Sequence, residues 1–229
     1  MSLLRRADRR TQFLAQVPSA IAVVPSYAIG GDLDHLEWNN ALLSQFTLFP
    51  WKIAHHNSWW SRNIKRGEIA CAMNHLACWR EANRAGASAA VIFEDDAILR
   101  PRLFQDLPKL LDKLSRADPA WDLLYLGRER IGRDTEFQHP FVWPGFSYCS
   151  YGYVVSKSGL RTLLEYELDS KLMPLDEFLV ATYMEHPRED VRRSILPMIR
   201  AYGLVEDWVT EADDRVLGSD TESSLDGHL

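Results

Sequence analysis

Apolar and polar positions along this chain fall into alternating helix-period and strand-like stretches. Ile21, Val23 and Val24, between Pro18 and Pro25, predict a short strand over 21–24, followed by a turn at Gly30-Gly31-Asp32. Residues 38–60 are aromatic-rich and aperiodic, with Trp38, Trp51, Trp59 and Trp60, and read as a lid or an elaborated loop. Over 67–85, Ile69, Met73, Leu76 and Trp79 recur on one helical face, and Gly86 stands where the helix should stop. Ala89-Ala90-Val91-Ile92-Phe93 then predicts a strand buried on both faces. Pro101 and Pro108 divide the next segment into a first turn and a main helix over 108–115, with Leu110, Leu111 and Leu114 inward. A strand over 121–126 ends at Gly127, and 128–144 is polar and irregular.

Strand character returns over 148–155, interrupted at Gly152, where a neighbouring group should approach the backbone closely. Ser156 is placed to cap a helix running to about 166, and Pro174 opens a turn before a helix starting near Asp176. Helices alternating with buried strands predict an α/β layered fold in one domain over 1–212, with a polar, mobile tail over 213–229.

With 229 residues, 46% of them hydrophobic, the chain can bury one sizeable core. A net charge of −6 argues against nucleic acid as the main partner, because no global cationic field gathers phosphates. Cys71, Cys78 and Cys149 are an odd number without a CxxC pair, which points to reduced thiols in the cytoplasm, with Cys71 and Cys78 packed as small apolar residues. No apolar run approaches the ~18 residues of a membrane span. Arg5, Arg6, Arg9 and Arg10 around Asp8 offer a peripheral contact to anionic lipid or phosphate, or simply a solvated helix start.

The strand over 89–93 ends in Glu94-Asp95-Asp96. Three adjacent anions repel one another; they are tolerable when solvated, and useful when Mg²⁺ or Mn²⁺ sits among hard carboxylate oxygens. On its own the triplet also describes an ordinary acidic loop. It is preceded, however, by Gly67-Glu68-Ile69-Ala70-Cys71-Ala72-Met73-Asn74-His75 and Trp79. That order and spacing resemble the signature of glycosyltransferase family 25, with Ala70 and Asn74 where the family has glycine and serine. Leu123-Leu124-Tyr125-Leu126-Gly127, Tyr151-Gly152-Tyr153-Val154-Val155, Pro174-Leu175-Asp176-Glu177 and Gly218-Ser219-Asp220-Thr221 resemble later blocks of the same family. Leu3-Leu4-Arg5-Arg6 with Arg9 resembles its opening, without the apolar strand that precedes it there, so the first strand is expected to be shortened.

The resemblance implies a GT-A fold, a Rossmann-like mixed sheet flanked by helices. It implies inverting transfer of a hexose, galactose first, from a UDP-sugar to a glycan or lipid-linked saccharide in the bacterial envelope. Mn²⁺ or Mg²⁺ would stabilise the departing diphosphate. Asp96 is then the first choice as metal ligand, with Glu94 and Asp95 sharing ribose contact and water-mediated ligation. Arg6 and Arg9 become candidate diphosphate or uridine contacts. His75 is a candidate for orienting the carboxylates or touching a phosphate, or is a satisfied core histidine. Asp176 and then Glu177 are candidate bases for the acceptor hydroxyl, although acidic residues also favour a helix start without any catalysis. His186 is a candidate distal metal contact or a surface-loop residue, and Trp143, Phe146, Tyr148 and Tyr151 offer a stacking platform for a sugar. The rival readings are a metal-dependent phosphohydrolase using the same three carboxylates, and a noncatalytic nucleotide- or glycan-binding relative.

Overall fold

The computed structural model describes residues 2, 5–26 and 46–212. The turn at Gly30-Gly31-Asp32, the first part of the aromatic region, the tail over 213–229 and the Gly218 block lie outside the described residues. In chain order the elements are α1 (Ala7–Leu14), α2 (Arg66–Arg84), β1 (Ala89–Phe93), β2 (Ala97–Leu99), α3 (Leu103–Ala117), β3 (Leu123–Arg130), β4 (Thr135–Glu136), β5 (Phe141–Trp143), β6 (Ser147–Ser156), α4 (Lys157–Glu165), α5 (Leu175–Tyr183), α6 (Glu189–Ser194), β7 (Ala201–Leu204) and β8 (Val209–Glu211). Six strands form one mixed sheet in the order β1-β6-β3-β7-β5-β4, in which only β3 and β7 run parallel; β2 and β8 pair separately.

Strand period two sorts the core onto the two faces of this sheet. Leu123, Tyr125, Tyr153 and Val155 face α2, α4 and α5, whereas Leu124, Leu126 and Val154 face α1 and α3. The predicted layered α/β architecture is therefore present, but the sheet is mostly antiparallel. Among the described residues no helix is long and apolar enough to cross a membrane.

Helix α2 begins one residue earlier than its apolar stripe predicts. Glu68 accepts the Lys65 backbone N–H at 2.7 Å, and Gly86, at φ +68°, takes the left-handed position past the last turn. Ser156 caps α4 as predicted, its Oγ accepting from the Gly159 backbone N–H at 3.1 Å. Helix α3, by contrast, runs unbroken through Pro108. Its stripe of Leu103, Leu107, Leu110 and Leu114, each at most 6% exposed, spans the proline. Burying four leucines at about 1.5–3 kcal/mol each outweighs the roughly 3 kcal/mol cost of an interior proline.

Three other expectations change. Residues 21–24 form no strand: they pair with no strand among the described residues, and Ile21, Val23 and Val24 are exposed. β1 is not buried on both faces. It pairs only with β6 among the described strands, so Val91 is left 39% exposed. The described part of the aromatic region is irregular but is no lid, since Phe46, Phe49, Trp51 and Trp60 belong to the core.

Gly127 does not end its strand. β3 continues to Arg130, and β8 crosses directly over the glycine, with the Trp208 N–H bonded to the Leu126 carbonyl at 2.7 Å. A methyl group at Gly127 would overlap the Val209 carbonyl. Gly127→Ala is expected to push β8 off the sheet and cost about 1–3 kcal/mol. The melting temperature should fall by roughly 3–10 °C; an unchanged value would show that β8 is not packed there. Gly152 meets the prediction of close approach: a Cβ there would lie 2.8 Å from the Phe93 ring.

Candidate active site

The acidic triplet emerges at the end of β1, where Phe93 is seated against Gly152. Opposite it, β6 bulges. Gly127 pairs with Gly152 and Glu129 with Tyr148, so residues 149–151 face Arg128 alone. Cys149 in the bulge has φ +58°, a conformation that costs a non-glycine residue about 1–3 kcal/mol and collects at functional sites. The bulge serves two carboxylates from different parts of the chain. Ser150 Oγ donates to Glu94 Oε1 at 3.0 Å, and the Cys149 backbone N–H lies near enough to the Asp176 carboxyl, at the start of α5, to pull its pKa down.

Asp176 is thereby brought beside the triplet. Its carboxyl is pushed up to about 7, first by burial and then by the Glu94 charge, against the pull of the Cys149 N–H. Asp96 is likewise pushed up to about 7, first by burial and then by Glu94, with Arg9 opposing. Asp96 Oδ2 accepts from Arg9 Nη1 at 2.8 Å, and the same nitrogen lies 3.5 Å from Asp95 Oδ1. Asp96 Oδ1 is buried without a hydrogen-bond partner. Arg9 therefore sits on the acidic turn. α1 is held there further by Gln16, which bonds the Ala97 carbonyl and the Leu99 N–H, and by Phe13 against Phe93. Arg6 forms a hydrogen-bonded pair with Asp8 at 2.8 Å and holds that carboxyl well below its usual range.

His75 is fully buried on α2. Trp79 Nε1 donates to Tyr153 Oη at 2.9 Å, and Tyr153 Oη lies 2.6 Å from His75 Nδ1. The other ring nitrogen, Nε2, is 3.5 Å from Glu94 Oε1, a contact too long for a full hydrogen bond. Burial holds the imidazole below its ordinary pKa, hence neutral. One turn earlier, Cys71 shares this end of the helix.

Glu177 and His186 lie apart from this group and are bonded to each other. Glu177 Oε1 accepts from Trp60 Nε1 and Tyr148 Oη, both at 2.9 Å, and Oε2 from His186 Nε2 at 2.7 Å. His186 Nδ1 accepts the Arg188 backbone N–H at 3.1 Å. Both ring nitrogens are engaged and the residue is 1% exposed, so the surface-loop reading does not hold, and no lone pair is left for a metal. Trp143 stands elsewhere too, lining a cavity of about 290 Å³ with Asp118, Arg200 and Tyr202 at the far end of β7. Sequence reasoning missed Ser150 and the turn of Arg9 onto Asp96. It also treated Cys71 as mere packing, although the four-residue spacing to His75 places both on one helical face.

A carboxylate cluster at a strand end is thus faced by a second, half-buried acid at a helix start on an α/β scaffold. The chain belongs to glycosyltransferase family 25: residues 1–141 match the family model described as "Glycosyltransferase family 25 (LPS biosynthesis protein)". A Bos taurus protein named "Probable inactive glycosyltransferase 25 family member 3" is 28% identical over 235 residues, covering 98% of this chain and 38% of its own length. Human "Procollagen galactosyltransferase 2" is 30% identical over 193 residues, covering 82% and 30% respectively. Xenopus laevis "Procollagen galactosyltransferase 1-A" is 34% identical over 142 residues, covering 59% and 23%. The chain spans about two fifths or less of the length of these relatives.

Proposed function

We propose that this chain is an inverting, GT-A type sugar transferase that moves a hexose, galactose first, from a UDP-sugar to a hydroxyl of a glycan acceptor. The observation that carries the reading is the β6 bulge, which gathers Glu94 and Asp176 from strands and helices more than eighty positions apart. Inversion needs a base on the face opposite the departing diphosphate, and a carboxylate raised toward neutrality is the stronger acceptor of the sugar hydroxyl's proton. Asp176 is assigned that role. Relatives named as galactosyltransferases support galactose as the donor sugar.

A hard divalent cation fits the triplet, because the buried Asp96 Oδ1 has no hydrogen-bond partner and Asp95 and Asp96 both face the Arg9 guanidinium. Asp96 and Asp95 would hold Mn²⁺ or Mg²⁺, and the ion would neutralise charge building on the leaving diphosphate. Glu94 would remain beside it for the ribose, and Arg9 would keep the turn folded around the site.

A second reading, nucleotide binding without turnover, is favoured by Arg9 already satisfying one oxygen of Asp96 and by relatives named inactive. Thermal shifts with UDP-galactose, UDP-glucose and UDP-N-acetylglucosamine, each with and without Mn²⁺, test the binding common to both. At 100 times Kd a ligand adds about 2.7 kcal/mol, roughly 5–10 °C for a chain of this size. Asp96→Asn should remove the cation-dependent part of that shift. UDP release that accelerates when a sugar acceptor is added identifies a transferase; a shift without release identifies the binder. No shift with any of the three donors counts against both.

A further inference from the structure

We propose that Cys71, His75 and Glu94 form a second type of cation site, selective for a borderline-soft ion such as Zn²⁺. This goes beyond the transferase reading and does not depend on it. Cys71 and His75 are one helical turn apart on α2, so both project from the same face, and β1 delivers Glu94 against that face. One ligand atom from each of the three residues lies within 4.8 Å of the others. A tetrahedral zinc site has bonds of about 2.0–2.3 Å, so the groups must draw in by roughly 1 Å to share one ion.

The independent sign is His75 itself. It is 0% exposed, its Nδ1 is held by Tyr153, and its Nε2 has only a long 3.5 Å contact to Glu94 Oε1, short of a full hydrogen bond. A buried ring nitrogen left short of a full hydrogen bond, in a group whose thiol and carboxylate ligand atoms lie within 4.8 Å, has the placement of a metal ligand. The hydrogen bonds behind it, from Trp79 to Tyr153 and between Tyr153 and His75, fix the ring in the manner of the outer partners of metal-bound histidines.

Residue chemistry selects the ion. Thiolate and imidazole suit zinc, whereas Mg²⁺ and Mn²⁺ prefer oxygen. Burial first, then the charges of Glu94 and Asp176, raise the Cys71 thiol well above its usual range, so it stays protonated until a dication supplies positive charge. On binding, the thiol proton leaves to solvent, and the imidazole proton moves from Nε2 to Nδ1, where Tyr153 Oη accepts its hydrogen bond. The bound unit, one dication with a thiolate and a carboxylate, is neutral. Glu94 is 27% exposed, which leaves a fourth position open to water or a ligand on that side.

Cobalt titration of the chelator-treated full chain reads the site without any nucleotide. Co²⁺ is expected to give a thiolate-to-cobalt charge-transfer band with intense tetrahedral visible bands, displaced by one equivalent of Zn²⁺. Cys71→Ser should lose the charge-transfer band, whereas Cys78→Ser, Cys149→Ser and Asp96→Asn should keep it. Tyr153→Phe keeps all three ligands and should weaken Zn²⁺ about 10- to 100-fold. Glu94→Gln gives a second ligand variant on the solvent side of the site, and it should weaken Zn²⁺ as well. No cobalt binding, cobalt binding without the thiolate band, or a band that survives Cys71→Ser would overturn the assignment.

Discussion

Asp176→Asn is expected to lower turnover by about 10²- to 10⁴-fold while preserving the nucleotide- and cation-dependent rise in melting temperature. The amide has the same shape, and its carbonyl oxygen can still face the Cys149 N–H, so the β6 bulge and the start of α5 stay in place. What disappears is the ability to take a proton. Stability should hardly fall, because the carboxylate being removed is half-buried and repelled by Glu94. The pattern to be measured is therefore an unchanged apparent affinity for the donor, from thermal shift, with acceptor-dependent UDP release nearly abolished. Normal release from Asp176→Asn would sink the base assignment, and loss of donor binding would mean the residue holds the nucleotide instead.

Much of the scaffold around this site was legible in sequence because its signals are local. The stripe of Ile69, Met73, Leu76 and Trp79 with Gly86 beyond it placed α2 within one residue at each end, and Ser156 announced α4. β4 and β5 were invisible inside 128–144, since strands of two or three residues are held by backbone pairing that composition does not record. Pro108 and Gly127 misled for one shared reason. Each carries a strong local meaning that tertiary packing overrode, a leucine stripe in one case and the crossing of β8 in the other. At the site, the triplet and Asp176 could be nominated from sequence, but their meeting depends on a bulge that neither segment encodes. Arg9 on Asp96 is a long-range pairing and Glu177 on His186 one across a helix and the turn after it, both between polar residues for which periodicity offers no signal.

Glu177 separates most sharply from the catalytic role its sequence position suggested, and the consequence is a large stability effect. It is 3% exposed and accepts from three donors, two on Oε1 and one on Oε2. Two of the donors, one on each oxygen, cannot be reversed: the Trp60 indole is donor only, and His186 Nδ1 is occupied as acceptor by the Arg188 N–H, so its Nε2 must carry the proton. Glu177→Ala strands these groups in the core, and at about 1–3 kcal/mol per orphaned polar group, partly relieved by relaxation, a loss of roughly 3–5 kcal/mol follows. The melting temperature should drop by about 10 °C or more. Glu177→Gln is no conservative escape. One amide rotamer points its NH₂ at the His186 N–H, and the other points it at the Trp60 N–H, so either sets a donor against a donor. Only a carboxylate accepts on both oxygens. Glu177→Gln should therefore also melt early, by roughly 3–10 °C, and the loss should shrink in a His186→Ala background, where the opposing donor is gone. A catalytic Glu177 would give the reverse, an unaltered melting temperature with turnover lost, and that result would return it to the list of bases.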